Sequence, residues 1–251
     1  MITRNLINIF IATIFPLMKK LFISAGLILF SVLSFSQEYP NEGMPIRDLD
    51  GNVYRIIMTE SGVWMAENLK TFKLNDGTLL TYIRDSNIWK ETKTPAYGWY
   101  KDDVDYAETY GAIYNWHAVA TGKLCPQGWH VPTADEWNDL MDYAGGSQKS
   151  GDNPAKLKEA GTAHWKAPNE GATNEVYFTA LPAGEINLFS TEAEFGTYTN
   201  WWTSTEDLNN LEPGQKATNA EIVGLSYDFF SKTMGTFQKE AALPVRCKQD
   251  E

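Results

Sequence analysis

Three histidines, two cysteines and several acidic clusters are the residues of this 251-residue chain best suited to bond-making chemistry. A serine hydrolase would set His117, His130 or His164 against a nucleophile, yet no Gly-x-Ser-x-Gly elbow occurs and nothing links a serine to a histidine. His130 stands between Trp129 and Pro132, a setting for a packed or hydrogen-bonded structural histidine. Glu136 has the type of a general acid, but it follows Thr133 by three residues, which is the spacing of a helix-capping carboxylate. Asp48-Leu49-Asp50-Gly51-Asn52 opens like a calcium loop. Val53 then replaces the loop's glycine and Thr59 its bidentate glutamate, so a tight turn entering a strand is expected instead. Asp102, Asp103, Asp105 and Glu108 read as a solvated acidic loop. No catalytic group, metal site or cofactor is expected from these patterns.

Recognition is better provided for, by nine Trp, twelve Tyr and twelve Phe that must either build a core or line a surface. In the loop-rich second half, Trp165, Tyr198, Trp201 and Glu206 are the candidate ligand-binding residues. Aromatic faces with nearby carboxylates can stack on sugar rings and hydrogen-bond their hydroxyls. Neighbours on a strand point to opposite faces, so Trp202 is expected inside and Trp201 outside. An open aromatic patch would mark a binding module, and a cleft of titratable residues an enzyme.

The segment from Met18 begins MKKLFISAGLILFSVLSFSQ, with two lysines, an apolar run from Leu21 to Leu33 and small residues at Ser34 and Ser36. This is the layout of a signal peptide, residues 1–36, with translation starting at Met1 or at Met18 and Gln37 as the first exported residue. Residues 37–45 then form a short N-terminal segment and residues 46–249 the domain. Removing Arg4, Lys19 and Lys20 from the 21 basic residues leaves 18 against 32 acidic ones, a net charge of −14. Such a surface repels nucleic acid and anionic lipid, and the exported part holds no stretch expected to span a membrane. The expected location is the periplasm, the cell surface or the medium. In an oxidising compartment Cys125 and Cys247 are expected to pair, the rival readings being two free thiols or a metal pair with histidine partners.

The elements that must position these residues can be read in outline. Val53, Arg55 and Ile57, then Val63 and Met65, alternate around Glu60-Ser61-Gly62 as a β-hairpin. Thr133 caps a helix whose Trp137, Leu140, Met141 and Ala144 share a face before Gly145-Gly146 ends it. A shorter helix is expected from Asn153 with Gly161 as its stop, and 112–120 is ambiguous between strand and helix. Five strands are expected later, at 176–181, 198–205, 221–230, 233–238 and 243–247. Strands at both ends with helices between them give an α+β domain whose termini come together.

The run from Cys125 through Gly128-Trp129-His130 to Thr133 and Glu136-Trp137 resembles the signature of the Fibrobacter succinogenes major paralogous domain family. Gly51-Asn52-Val53-Tyr54, Trp64-Met65-Ala66-Glu67-Asn68-Leu69, Tyr110 to Tyr114, Leu181 to Gly184, Trp202 to Glu206 and Val245-Arg246-Cys247 resemble its other blocks, in the same order. The resemblance implies an exported or cell-envelope bacterial protein and names no activity. More distantly, the Pro132-Thr133 and Glu136-Trp137 run and Val245-Arg246-Cys247 are similar to the C-type lectin-like fold shared with formylglycine-generating enzymes. Short antiparallel strands with two or three helices are then expected. Those enzymes need a pair of active-site cysteines, and no spare pair exists here. Calcium lectins use a Glu-Pro-Asn or Gln-Pro-Asp loop followed by Trp-Asn-Asp on a strand; Trp137-Asn138-Asp139 falls in the helix and Pro168-Asn169-Glu170 lacks the leading acid. The function expected is a non-catalytic binding domain for a polysaccharide or an envelope protein, the alternative being an enzyme on the same fold.

Overall fold

The computed structural model describes residues 43–146, 153–186, 195–209, 211–229 and 233–251. The proposed signal peptide therefore lies outside the described residues. In chain order the first half contains β1 (Ile46–Arg47), β2 (Val53–Tyr54), β3 (Ile56–Thr59), β4 (Gly62–Met65), β5 (Thr81–Tyr82), β6 (Ala96–Gly98), α1 (Val104–Tyr110), β7 (Ile113–Tyr114) and α2 (Trp116–Val119). The second half adds β8 (Trp129–His130), α3 (Ala134–Met141), β9 (Tyr198–Glu206), β10 (Asn219–Ser226), β11 (Thr233–Gln238) and β12 (Lys248–Gln249). This is an α+β domain of small, mostly antiparallel sheets, and among the described residues no helix is long and apolar enough to cross a membrane.

The expected hairpin is β3–β4, with Ile56 opposite Met65 and Thr59 opposite Gly62. Strand β12 pairs with β4 through Lys248 and Trp64 and with β8 through Lys248 and His130, so the C-terminus returns to the start of the domain. The Cys125–Cys247 disulfide closes that return, with Cα atoms 6.0 Å apart, inside the normal bridging range. Helix α3 begins with the capping box read from the sequence: Thr133 accepts from the Glu136 N–H while Glu136 accepts from the Thr133 N–H at 2.8 Å. Asn153 caps a single 3-10 turn, Pro154–Leu157, that stops short of Gly161. The ambiguous stretch 112–120 divides into β7 and α2, separated by Asn115, whose side chain accepts from the Ala118 N–H.

Three expectations fail locally: residues 243–247 form no strand, Leu243 making only an isolated bridge to Tyr114 before the last strand at Lys248–Gln249. Residues 176–181 form no strand, because Tyr177 and Thr179 sit at positive φ (60° and 53°), which breaks the alternation that a pleated strand requires. The acidic group at 102–108 is largely helix α1 rather than a loop. Asp103 accepts from the Asp105 N–H, so acidic residues near the helix start satisfy its free donors and dipole.

Buried side chains gather in two large clusters and a smaller one. The first surrounds the disulfide and includes Met65, Leu69, Tyr114 and Trp202; the second includes Trp64, Trp137, Phe178 and Trp201. Arg246, 1 % exposed, ties them together: it lies over the Phe178 ring, donates to the Phe178 and Thr179 carbonyls, and donates to Asn68 Oδ1 at 2.9 Å. Burial lowers its ordinary pKa to about 9, against the favourable field of Glu67. The third cluster holds Ile83, Trp89 and Ala96 beneath β6.

Candidate functional site

The aromatic group expected in the second half does not form a platform. Trp202 is buried as expected, but Trp201 is buried too, and Trp165 is 1 % exposed. Strand β9 runs between two cores, so both of its faces are covered: Trp202 enters the disulfide cluster and Trp201 stacks on Trp137 in the other, 5.1 Å between centroids. Alternation was the correct geometry, but it does not say that one face meets water. Each indole N–H is satisfied inside, Trp201 by Asn68 Oδ1, Trp202 by the Tyr114 carbonyl and Trp165 by the Ala180 carbonyl, all at 2.8 Å. Tyr198 and Glu206 occupy opposite ends of β9, about 26 Å apart at the strand rise of ~3.3 Å per residue. They do not share a site.

Two of the three histidines are held by carboxylates, His164 by Glu159 at 2.8 Å and His130 at both ring nitrogens. His130 Nδ1 lies 2.7 Å from Asp250 and its Nε2 3.0 Å from both Glu136 oxygens. Glu136 also accepts from Lys248 Nζ at 2.8 Å. Burial alone would raise the Glu136 pKa, but Lys248, the Thr133 N–H and His130 together bring it down to about 2, the behaviour of a permanently ionised cap rather than a proton donor. His117 and Glu240 border an open cleft of about 660 Å³ that Glu206 also lines. There Glu206 is bound by Lys239 at 2.5 Å, His117 Nε2 is 3.7 Å from Glu240, and no serine or cysteine is present among the lining residues. Burial lowers the His117 pKa against the field of Glu240, and Thr218 and Lys216 complete that part of the lining. Among the described residues no three His, Cys, Asp or Glu side chains are placed to hold a metal ion.

An open aromatic surface does exist, in the first half of the chain. Its foundation is the run Ala96-Tyr97-Gly98-Trp99, in which small and aromatic residues alternate with the period of a strand. Ala96 and Gly98 face the third core, where a Cβ on Gly98 would stand 2.7 Å from the Ile83 carbonyl oxygen and 2.9 Å from Trp89 Cζ2. Tyr97 and Trp99 are thereby turned to the opposite face. Across the sheet Tyr82 on β5 pairs with Tyr97 on β6, and Tyr97 with Tyr114 on β7, so one row of tyrosines runs outward from the core. The Tyr114 hydroxyl, at the buried end, donates to the Thr71 carbonyl and anchors the neighbouring loop. That loop carries Phe72, whose N–H donates to Asp50 at 2.8 Å.

Phe72, Tyr82, Tyr97 and Trp99 are all half-buried. Tyr97 is central, with ring centroids 6.1 Å from Phe72, 5.1 Å from Tyr82 and 5.3 Å from Trp99. The Phe72 and Tyr82 planes lie within 30° of the Tyr97 plane and Trp99 stands edge-on to it, so the rings hold one another in orientation. Charged groups sit at both ends. Lys73 Nζ is 4.8 Å from the Phe72 centroid and 2.7 Å from Asp50; Arg84 is 5.4 Å from the Tyr82 centroid and 4.0 Å from Asp102. The Tyr82 hydroxyl donates to Asp102. Burial first, and then this carboxylate, push the Tyr82 pKa up to about 12, so it remains a hydrogen-bond donor at neutral pH. A hollow of about 140 Å³ beside Phe72 and Trp99 is bordered by Asp50, Asn52, Lys70 and Glu108. The alternation at 96–99 was the sequence signal for this surface, and nothing about the four residues' spacing along the chain shows that they meet.

Residues 59–248 match the model of the Fibrobacter succinogenes major domain, and the chain belongs to that family. No curated protein matches it, and no solved structure does.

Proposed function

We propose that this protein is an exported, non-catalytic binding domain that holds a polysaccharide on the platform formed by Phe72, Tyr82, Tyr97 and Trp99. The observation that carries the reading is a contiguous strip of four half-exposed rings, locked by one another and edged with hydrogen-bonding groups, on a chain whose histidines are tied up in structural or paired contacts. A pyranose presents apolar C–H faces to such rings and hydroxyls to the carboxylates and cations around them. Export is supported by the N-terminal pattern and by the disulfide, which persists in oxidising compartments. A C-type lectin-like architecture is part of the proposal. Its support is the return of the C-terminus beside β4, closed by a bridge to the start of β8 and the capped helix.

Affinity electrophoresis of the protein through gels containing soluble polysaccharides tests the reading. Stacking on one ring, by analogy with nucleic-acid bases, is worth about 1 to 3 kcal/mol, so Trp99→Ala and Tyr82→Ala should each weaken binding by about fivefold to a hundredfold. Retardation unchanged in both variants, with their thermal unfolding unaltered, would remove the platform as the site.

A further inference from the structure

We infer that Asp102 and Arg84 form the polar half of this binding site and that its ligand is an uncharged polysaccharide. The inference rests on the platform reading and adds to it the class of glycan. Asp102 is placed by the backbone: its N–H donates to the Trp99 carbonyl at 3.0 Å, so the turn leaving the platform brings the carboxylate back beside it. That turn holds Asp102 at φ 54°, in the left-handed region that residues other than glycine seldom occupy. The carboxylate is partly exposed, and Oδ1 takes the Tyr82 hydroxyl while no described residue donates to Oδ2. Arg84, 74 % exposed, extends along the same ring with most of its donors facing solvent. An acceptor and a set of donors thus flank one aromatic ring. Adjacent sugar hydroxyls, each both donor and acceptor, are complementary to that arrangement.

The charge balance selects among glycans. Among the described residues flanking the platform, Lys73 faces Asp50, Lys70 faces Glu108 at 3.2 Å, and Arg84 stands 4.0 Å from Asp102. The six groups sum to zero, and the exported chain around them carries a net charge of −14, from 18 basic and 32 acidic residues. A polyuronate would have to bring its carboxylates against Asp50, Asp102 and Glu108, with Arg84 already facing Asp102. Hydroxyls face no such opposition.

Affinity electrophoresis and titration calorimetry with soluble β-glucan, xyloglucan and galactomannan, and with polygalacturonate as the anionic counterpart, test the inference. The variants are Arg84→Ala and Asp102→Gly, the second chosen because glycine relieves the left-handed backbone and so cannot lose binding through strain. Binding of at least one neutral polysaccharide, weakened about tenfold or more in both variants and insensitive to salt, with polygalacturonate unbound, is the expected result. If Arg84→Ala and Asp102→Gly bind like the parent while Trp99→Ala does not, the polar half is elsewhere and only the platform survives. Polygalacturonate binding as tightly as the neutral chains overturns the ligand class. Absence of binding to any of the four by the parent protein overturns the platform reading itself.

Discussion

Gly98→Ala tests the packing that turns Tyr97 and Trp99 outward. Gly98 is not at positive φ, so the substitution carries no backbone penalty and acts through its methyl group alone. That group would meet the Ile83 carbonyl oxygen at 2.7 Å and Trp89 Cζ2 at 2.9 Å, closer than such contacts tolerate. Neither neighbour yields easily, since one is backbone and the other is a ring only 1 % exposed. Overpacking of this kind costs about 1 to 3 kcal/mol. For a domain of this size each kcal/mol lowers Tm by roughly 2 to 4 °C, so a fall of about 2 to 12 °C is expected. Relief by moving β6 outward would tilt Tyr97 and Trp99 together, changing the near-ultraviolet circular dichroism and weakening glycan retention. Gly235→Ala is the control: it lies in β11 with its nearest neighbour at 3.7 Å and should be neutral or slightly stabilising. Equal melting temperatures for Gly98→Ala and the parent would refute the packing argument and, with it, the account of why the platform faces water.

Replacing Cys125 and Cys247 with serine opens a loop of 122 residues and should cost up to about 4 to 5 kcal/mol on the chain-entropy model, read as the change in urea midpoint under non-reducing conditions. Glu136 is held ionised by Lys248 and His130, so its pKa falls from 4.5 to about 2 on folding. The unfolded chain then binds more protons between those values, stability rises with pH across that window, and Glu136→Gln should flatten the rise in urea melts taken from pH 2 to 5. Lys158 is fully buried, donates to the Ser226 carbonyl at 2.8 Å, and is lowered by burial from 10.5 to about 8. Here too the unfolded form binds the extra proton, so stability should increase from pH 8 toward 10, and Lys158→Met should abolish that increase relative to the parent; parallel curves would show that the ammonium is not desolvated.

Most of the scaffold was legible because local rules and tertiary packing agree there. The capping box at Thr133 and Glu136 and the β3–β4 hairpin each follow from a short-range pattern that the fold does not override, and the cysteine pairing, across 122 residues, follows from there being only two cysteines to pair. Residues 176–181 were not legible, because their apolar run suits a strand as well as the irregular chain that Arg246 secures through the Phe178 and Thr179 carbonyls. Nothing near position 178 in sequence indicates an arginine 68 residues away. Strand β9 falls almost to the residue where the sequence places it, and Trp202 is inside as expected, but Trp201 on the opposite face is buried as well. Periodicity reports which side chains share a face, and only the layers packed on either side determine whether that face is wet.

The same limit applies to Trp165 and Trp201, whose residue type suits a binding surface and whose place is in the core. The blocks that carry the family resemblance contain Trp64, Leu69, Tyr114, Trp202, Arg246 and Cys247, every one of them essentially fully buried. Their joint task is visible in single contacts: Asn68 Oδ1 accepts from both Trp201 and Arg246, joining the block at 64–69 to the last one. A motif made of large buried side chains at fixed spacing is a description of packing, and its tryptophans are prominent because cores are built from such residues. Phe72, Tyr82, Tyr97 and Trp99 lie in none of those blocks. They occupy loops and short strands at the surface, half-buried, with Tyr97 and Trp99 packed along the edge of the disulfide cluster. On the proposed reading, the residues of this chain that resemble the family's blocks and those of the aromatic platform are separate sets, and substituting Tyr82 or Trp99 should alter binding at little cost in stability, while substituting Trp201 should do the reverse.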